Sequence, residues 1–375
     1  MKFNIKHYLN DYNLYVPSWV SSQCFLFNTE QRAYIYNEKN FTDILLENES
    51  AILWNAIIDS SSNDSGNKFD FVEFENNNLE EDIVDFIDVL ISEGLIVSGD
   101  AKSNIKEPLY CVNKTEKSER EQFYAEKQEW CLKHNILESL SIELTYNCNL
   151  NCIHCYNDKS IKNCEISFDD IKPVIDDAKK LGVMSISLSG GECTLTKDFL
   201  RIAKYIREQR ISLSVITNGQ VFYDNPEISD EFIKLYPSRI GLSLYAMDEI
   251  IHDKITSVVG SHKKTLSVIN KLCKNNVPVE IKSFQTKYNV SEYQKVKNYA
   301  EELGSSFTVD DGLLLNNNGE NASIQTTEEQ SYCLHKEIYK EKDIKPTVFS
   351  DKFYKQQICS AGISFLTINP KMIFK

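Results

Sequence analysis

Three cysteines stand within eight residues, in the run Cys148-Asn149-Leu150-Asn151-Cys152-Ile153-His154-Cys155, a C-x3-C-x2-C spacing. Three thiolates on so short a loop can converge on a soft metal centre, and three is one fewer than a closed zinc or iron–sulfur site uses. The fourth position is then open to chelation by a small molecule. His154 and Cys164 are the local candidates for a fourth protein ligand. His154 abuts Cys155 and would approach awkwardly, and Cys164 lies nine residues further on in a polar segment. Ser189-Gly190-Gly191-Glu192 and Thr217-Asn218-Gly219 end later strand-like runs, and Leu242-Ser243-Leu244-Tyr245 lies in another. Glycines let a backbone approach a ligand, a carboxylate pairs with an ammonium, and Asn-Gly is above all a turn signal.

These segments need elements to position them. From residue 139 onward β-branched and apolar runs alternate with helical periodicity: strands at Leu140 to Thr145, Met184 to Ser189, Ile211 to Thr217, Ile240 to Tyr245, Val277 to Phe284 and Phe307 to Val309. Helical runs cover Phe168 to Leu181, Lys197 to Gln209, Ser229 to Leu235, Lys263 to Asn275 and Glu292 to Leu303. Six strands each followed by a crossover predict an α/β fold with a parallel sheet, a partial (β/α)6 barrel, over residues 137–315. Functional residues then belong just after the strands' C-terminal ends, where the cysteine loop stands.

In that context CNLNCIHC, with Tyr156 following, resembles the cluster-binding loop of the radical SAM superfamily. The resemblance implies that Cys148, Cys152 and Cys155 hold a [4Fe-4S] cluster whose fourth iron is chelated by S-adenosylmethionine (SAM). It further implies that Gly190, Gly191 and Glu192 form the family's GGE motif toward the methionyl amine, with Cys193 where proline is common. Asn218 and Ser243 match positions beside SAM. An external one-electron reductant of flavodoxin or ferredoxin type is implied as a partner. Cys359-Ser360-Ala361-Gly362 with Leu366-Thr367-Ile368-Asn369-Pro370 resembles the opening of a SPASM extension, within a C-terminal segment 316–375. Cys333 and Cys359 are candidate metal ligands there, but two cysteines do not fill the four positions of an auxiliary cluster. Cys24, Cys111, Cys131, Cys164 and Cys273 are expected to be buried structural thiols.

The first hundred residues differ in kind. They carry 5 Lys and Arg against 18 Asp and Glu, net -13 of the chain's -14. Phosphate binding needs a positive surface, so this module is not expected to hold nucleic acid. Strands are expected at Tyr12 to Val20, Gln23 to Phe27 and Ala33 to Tyr36. Helices are expected from Asn48 to the polar tract Asp59 to Asn67 and from Leu79 to about Glu93, then a strand Leu95 to Val97. Helix, helix, strand is a winged-helix ending, placed at residues 1–105, with a partly helical linker over 106–136. Upstream of such a barrel it resembles a RiPP recognition element, which binds the leader of a ribosomally made precursor peptide along an exposed strand edge and helix 3.

The expectation is therefore a radical SAM enzyme that abstracts hydrogen from a precursor peptide and forms a thioether or carbon–carbon crosslink. No catalytic acid or base can be named. A maturase of a folded protein, such as a sulfatase maturase, and a non-enzymatic iron–sulfur sensor are the alternatives. No run approaches 18 apolar residues and no signal peptide is present, so a cytoplasmic protein without a membrane partner is expected. Eleven cysteines in a reducing compartment suit metal chemistry better than disulfides.

Overall fold

A computed structural model describes residues 2–27, 30–40, 42–61, 71–73, 79–99, 131, 133, 136–157, 164–315, 319–341 and 364–373. Among the described residues the acidic module holds seven strands: β1 (Lys2–Asn4), β2 (Leu14–Tyr15), β3 (Val20–Phe27), β4 (Glu30–Asn37), β5 (Thr42–Glu47), β6 (Phe71–Glu73) and β7 (Val97–Ser98). Three helices join them: α1 (Ile5–Asp11), α2 (Asn48–Ser61) and α3 (Leu79–Ser92). Strands β3, β4 and β5 form an antiparallel sheet in that order, and the pairs β1–β6 and β2–β7 complete the frame. Ile83, Ile87 and Leu90 recur on one face of α3 and meet Trp54 and Ile57 of α2 in a common core.

The module departs from the sequence expectation in several places, the short paired strands β1 and β6 among them. Helix α1 is new: Ile5 and Leu9 bury one face over only seven residues, and the Asn4 side chain caps it by accepting from the His7 N–H. The expected strand Tyr12 to Val20 is instead the two-residue β2 followed by a turn into β3. Strand β5 was not expected, since Thr42 to Glu47 carries charge at both ends. The stop tract is reached at Ser61, and most of it, with nearly all of the linker, lies outside the described residues.

The second body is a seven-stranded parallel sheet: β8 (Ser139–Thr145), β9 (Ser185–Gly190), β10 (Ser212–Thr217), β11 (Arg239–Ser243), β12 (Val279–Phe284), β13 (Ser306–Asp310) and β14 (Phe365–Ile368), ordered β13-β12-β11-β10-β9-β8-β14. The connecting helices are α4 (Phe168–Lys180), α5 (Phe199–Glu208), α6 (Gln220–Asp224), α7 (Pro226–Ile233), α8 (Glu249–Thr256), α9 (Ser261–Lys274) and α10 (Tyr293–Glu302), with α11 (Glu328–Glu341) after β13. This is the expected partial barrel with one strand more. Leu366, Thr367 and Ile368 pair in parallel with Leu140, Ser141 and Ile142, so they add a strand to the sheet. The barrel edge takes the segment read as the start of an extension; Cys359 lies outside the described residues.

Strand alternation explains the layering. Leu140, Ile142 and Leu144, then Ile186 and Leu188, then Leu213 and Val215, are buried under the helices, each worth about 1.5–3 kcal/mol of burial. The intervening Ser141, Ser187 and Ser243 face the other side and stay half-buried. Among the described residues no helix is long and apolar enough to cross a membrane.

Candidate active site

A cavity of about 610 Å³ opens where β8 to β11 end. Cys148, Cys152 and Cys155 all line it, together with Gly190, Gly191, Asn218 and Ser243. Seven of the eight cofactor and cluster residues expected from the cysteine, GGE, TNG and β11 segments therefore meet in one place. Among the described residues no three His, Cys, Asp or Glu side chains converge closely enough for a single metal ion. A cubane takes its thiolates on separate irons, so the cysteine loop suits a cluster better than a zinc ion.

The loop is held from three sides. Its N–H groups at Asn151 and Ile153 donate to the carbonyls of Thr256 and Ile255 at the end of α8. The carbonyls of Thr145 and Asn147 accept from the N–H groups of Gly191 and Glu192. Asn218 donates through Nδ2 to Asn149 Oδ1 at 2.7 Å and lies 3.7 Å from the Cys148 sulfur. Burial pushes the Cys148 thiol up to about 11, while the Leu150 N–H and Asn218 work the other way. A thiol must lose that proton before it can ligate a metal.

The glycines are required by packing against the loop. A Cβ on Gly191 would lie 2.4 Å from the Asn147 carbonyl oxygen, and Gly190 combines φ +134° with a Cβ position 2.4 Å from the Thr145 oxygen. Neither position accepts a side chain.

Glu192, the residue expected toward the methionyl amine, is held by donors of the protein itself. It is 1% exposed and absent from the cavity lining. One carboxylate oxygen accepts from the Thr194 N–H and hydroxyl and from the Thr217 hydroxyl at 2.7 Å; the other accepts from the Asn218 N–H at 2.7 Å. Burial raises its pKa, and those four donors oppose the rise. The carboxylate thus staples the end of β9 to the TNG turn and aims Asn218 at the cysteine loop. Its donors come from residues up to 26 positions away.

His154 and Tyr245 line the cavity, and Phe284 backs His154. The His154 ring stacks on Phe284 at 4.9 Å and meets the edge of Tyr245 at 4.8 Å. The Tyr245 N–H donates to His252 Nδ1, and burial with His262 alongside lowers His252 to about 3, the neutral ring that such an acceptor requires. Tyr245, Tyr146, Asn147, Ile216 and Val258 line the cavity but were not singled out from sequence. The signal available for Tyr245 was its place just beyond Ser243 at a strand end. Cys164 stands apart as a half-buried thiol donating to the Pro370 carbonyl. Cys333 is exposed on α11, and Cys193 is a fully buried thiol beside β9 and β10.

Comparison with known proteins agrees with this geometry. Residues 142–300 match the family model described as the radical SAM superfamily. AdoMet-dependent heme synthase of Methanosarcina barkeri is 32% identical over 165 residues, 44% of this chain and 47% of that protein. The antilisterial bacteriocin subtilosin biosynthesis protein AlbA of Bacillus subtilis is 27% identical over 168 residues, 45% and 37% of the two chains. The matched stretch thus spans half or less of these relatives. SuiB of Streptococcus suis, in its crystal structure with S-adenosylmethionine, superposes over 96% of this chain and 82% of its own with a TM-score of 0.56 at 16% identity, a likeness of fold. Cysteine loop, cavity and family match coincide: every residue that lines the cavity falls within the stretch 142–300 that matches the radical SAM family model.

Proposed function

We propose that the chain is a peptide-modifying radical SAM enzyme, with the N-terminal module capturing the leader of a precursor peptide. The observation that carries the reading is the state of the module's sheet. One outer strand, β3, is engaged by the barrel: the Ser22 N–H donates to the Arg210 carbonyl at 2.8 Å. The opposite outer strand, β5, pairs only with β4 among the described residues, which leaves an edge for an added peptide strand. Relatives lend support: SuiB has been crystallised with its precursor peptide SuiA at a TM-score of 0.54 to this chain, and AlbA serves bacteriocin biosynthesis.

In this reading Cys148, Cys152 and Cys155 hold the [4Fe-4S] cluster, and the Gly190–Gly191 backbone, Asn218 and Ser243 seat SAM. When bound, the pair supplies reductive cleavage of SAM and a 5′-deoxyadenosyl radical able to take a hydrogen atom from a peptide. The protein's part is positioning and exclusion of water. Glu192 fixes the TNG turn, α8 fixes the loop from behind, and Tyr245 and His154, the latter backed by Phe284, line the cavity beside the cysteines.

The test uses the anaerobically reconstituted full chain with SAM, dithionite and peptides drawn from a randomised display library by binding to that chain. The expected result is a bound peptide that loses two hydrogen atoms, as a crosslink requires. Steady 5′-deoxyadenosine release with no peptide bound or altered would leave a radical SAM enzyme acting on another substrate.

A further inference from the structure

The contact between module and barrel is built from buried charge. Arg207, at the end of α5, donates through Nη1 to Ser21 Oγ at 2.5 Å and to the Ile211 carbonyl at 2.9 Å, and through Nη2 to the Ser18 carbonyl at 2.7 Å. It lies 3.4 Å from Glu38 Oε1, and the two side chains are 3% and 0% exposed. Arg210 reaches the carbonyls of Val16, Pro17 and Val20 at 3.0, 2.9 and 3.3 Å. Gln23 adds a bond to the Val183 carbonyl. Tyr34 and Tyr36 of β4 pack with Cys131 and Met184 in a small shared core.

Two features set this apart from an ordinary interface between tethered domains, which is polar, wet and free to shift. Guanidinium donors take backbone carbonyls as well as side chains, which fixes one register, and sliding would leave the buried Arg207 guanidinium without its acceptors. The contacts also sit at one end of the sheet. Val183, Met184, Arg210 and Ile211 precede β9 and β10, whereas the cavity lies where those strands finish, at Gly190 and Thr217.

We propose that Arg207 and Arg210 are positioning residues that hold the module at one fixed separation from the cluster cavity, so that the peptide between its docking strand and its modified residue has a set length. The inference rests on the peptide-modifying reading above. The contact and the cavity stand at opposite ends of a six-residue strand, about 20 Å apart at ~3.3 Å per residue, so a spacer of that order, roughly six extended residues, is expected.

Two measurements on the full chain test it. In the first, a site-specific protease sequence is inserted after residue 115 and cut, and the halves are run on a sizing column. The module should stay with the barrel in the otherwise wild-type chain, be released by Arg210→Ala and by Arg207→Ala, and be retained in part by Arg207→Lys. Release of peptide-free 5′-deoxyadenosine should be unchanged in the uncut Arg210→Ala chain. Separation of the uncompromised halves would overturn the proposal without any variant.

In the second, a library peptide that the enzyme modifies is lengthened by two, four or six Gly-Ser residues between its docking and modified segments. Its yield at the original residue should fall about tenfold or more, or the modified position should shift by the inserted length. Equal yield at the original residue for every insertion would overturn the fixed spacing. A library in which no peptide is modified counts against the peptide reading instead, while the cleavage result still decides the fixed docking.

Discussion

The cavity end of the barrel and the base where the module docks are built in opposite ways. At the cavity, the functional groups are thiols and amides on loops, held by backbone bonds from α8, β9 and the TNG turn. At the base, two arginines reach across to carbonyls on another module, with a buried carboxylate opposite. The first arrangement is gathered around one short loop of eight residues. The second depends on two surfaces meeting, and no short segment of sequence carries it.

Cys152→Ala should produce the largest effect, confined to the cavity: loss of cluster absorption and at least about a hundredfold less 5′-deoxyadenosine, with circular dichroism of the module unchanged. An unfolded variant would mean that the loop is structural and would blur the contrast between the two ends.

Glu192→Ala comes next. It leaves the hydroxyls of Thr194 and Thr217 and the Asn218 N–H without their acceptor, at about 1–3 kcal/mol for each group left unsatisfied. Thermal unfolding should show the loss. Glu192→Gln, which keeps an acceptor oxygen, should recover much of it; no recovery would point to the charge itself.

A pH effect should belong to the docking end. Burial raises Glu38 to about 7, opposed by Arg207, Ser21 and Ser212, with Asp43 adding to the rise. The folded protein holds that proton more tightly than the unfolded chain. The stability it contributes is therefore full below the ordinary carboxylate range and is lost as pH climbs through about 7, an effect of roughly 3 kcal/mol at most. In urea unfolding of the full chain, stability should fall from about pH 5 to pH 8, and Glu38→Gln should flatten that slope. Stability that increases with pH over this range would reverse the assignment.

The smallest effect sharpens the comparison as a control. Lys264 pairs with Asp224 on the surface at 2.7 Å, and Lys264→Ala should change stability by no more than about 0.5 kcal/mol in urea unfolding.

These contrasts explain what could be read from the sequence. The cysteine loop and the βα alternation were visible because their chemistry and periodicity are local. Thr217 and Asn218, hydrogen-bond partners of Glu192, lie at the end of the next strand, so they could not be read from the GGE segment alone. Arg207 and Arg210, at a helix end, look like ordinary cations facing the helix dipole until the module is placed beside them. Strand β14 escaped because four residues of β-pattern have no meaning without the edge of β8 to accept them. Helix α1 escaped because seven residues carry too little periodicity.

The central claim, radical SAM chemistry at the cysteine cavity, is tested most directly by 5′-deoxyadenosine release from the anaerobically reconstituted full chain given SAM and dithionite. The account predicts release by the wild-type chain and none by Cys148→Ala. A wild-type chain that carries the full cluster spectrum yet releases no 5′-deoxyadenosine would contradict it.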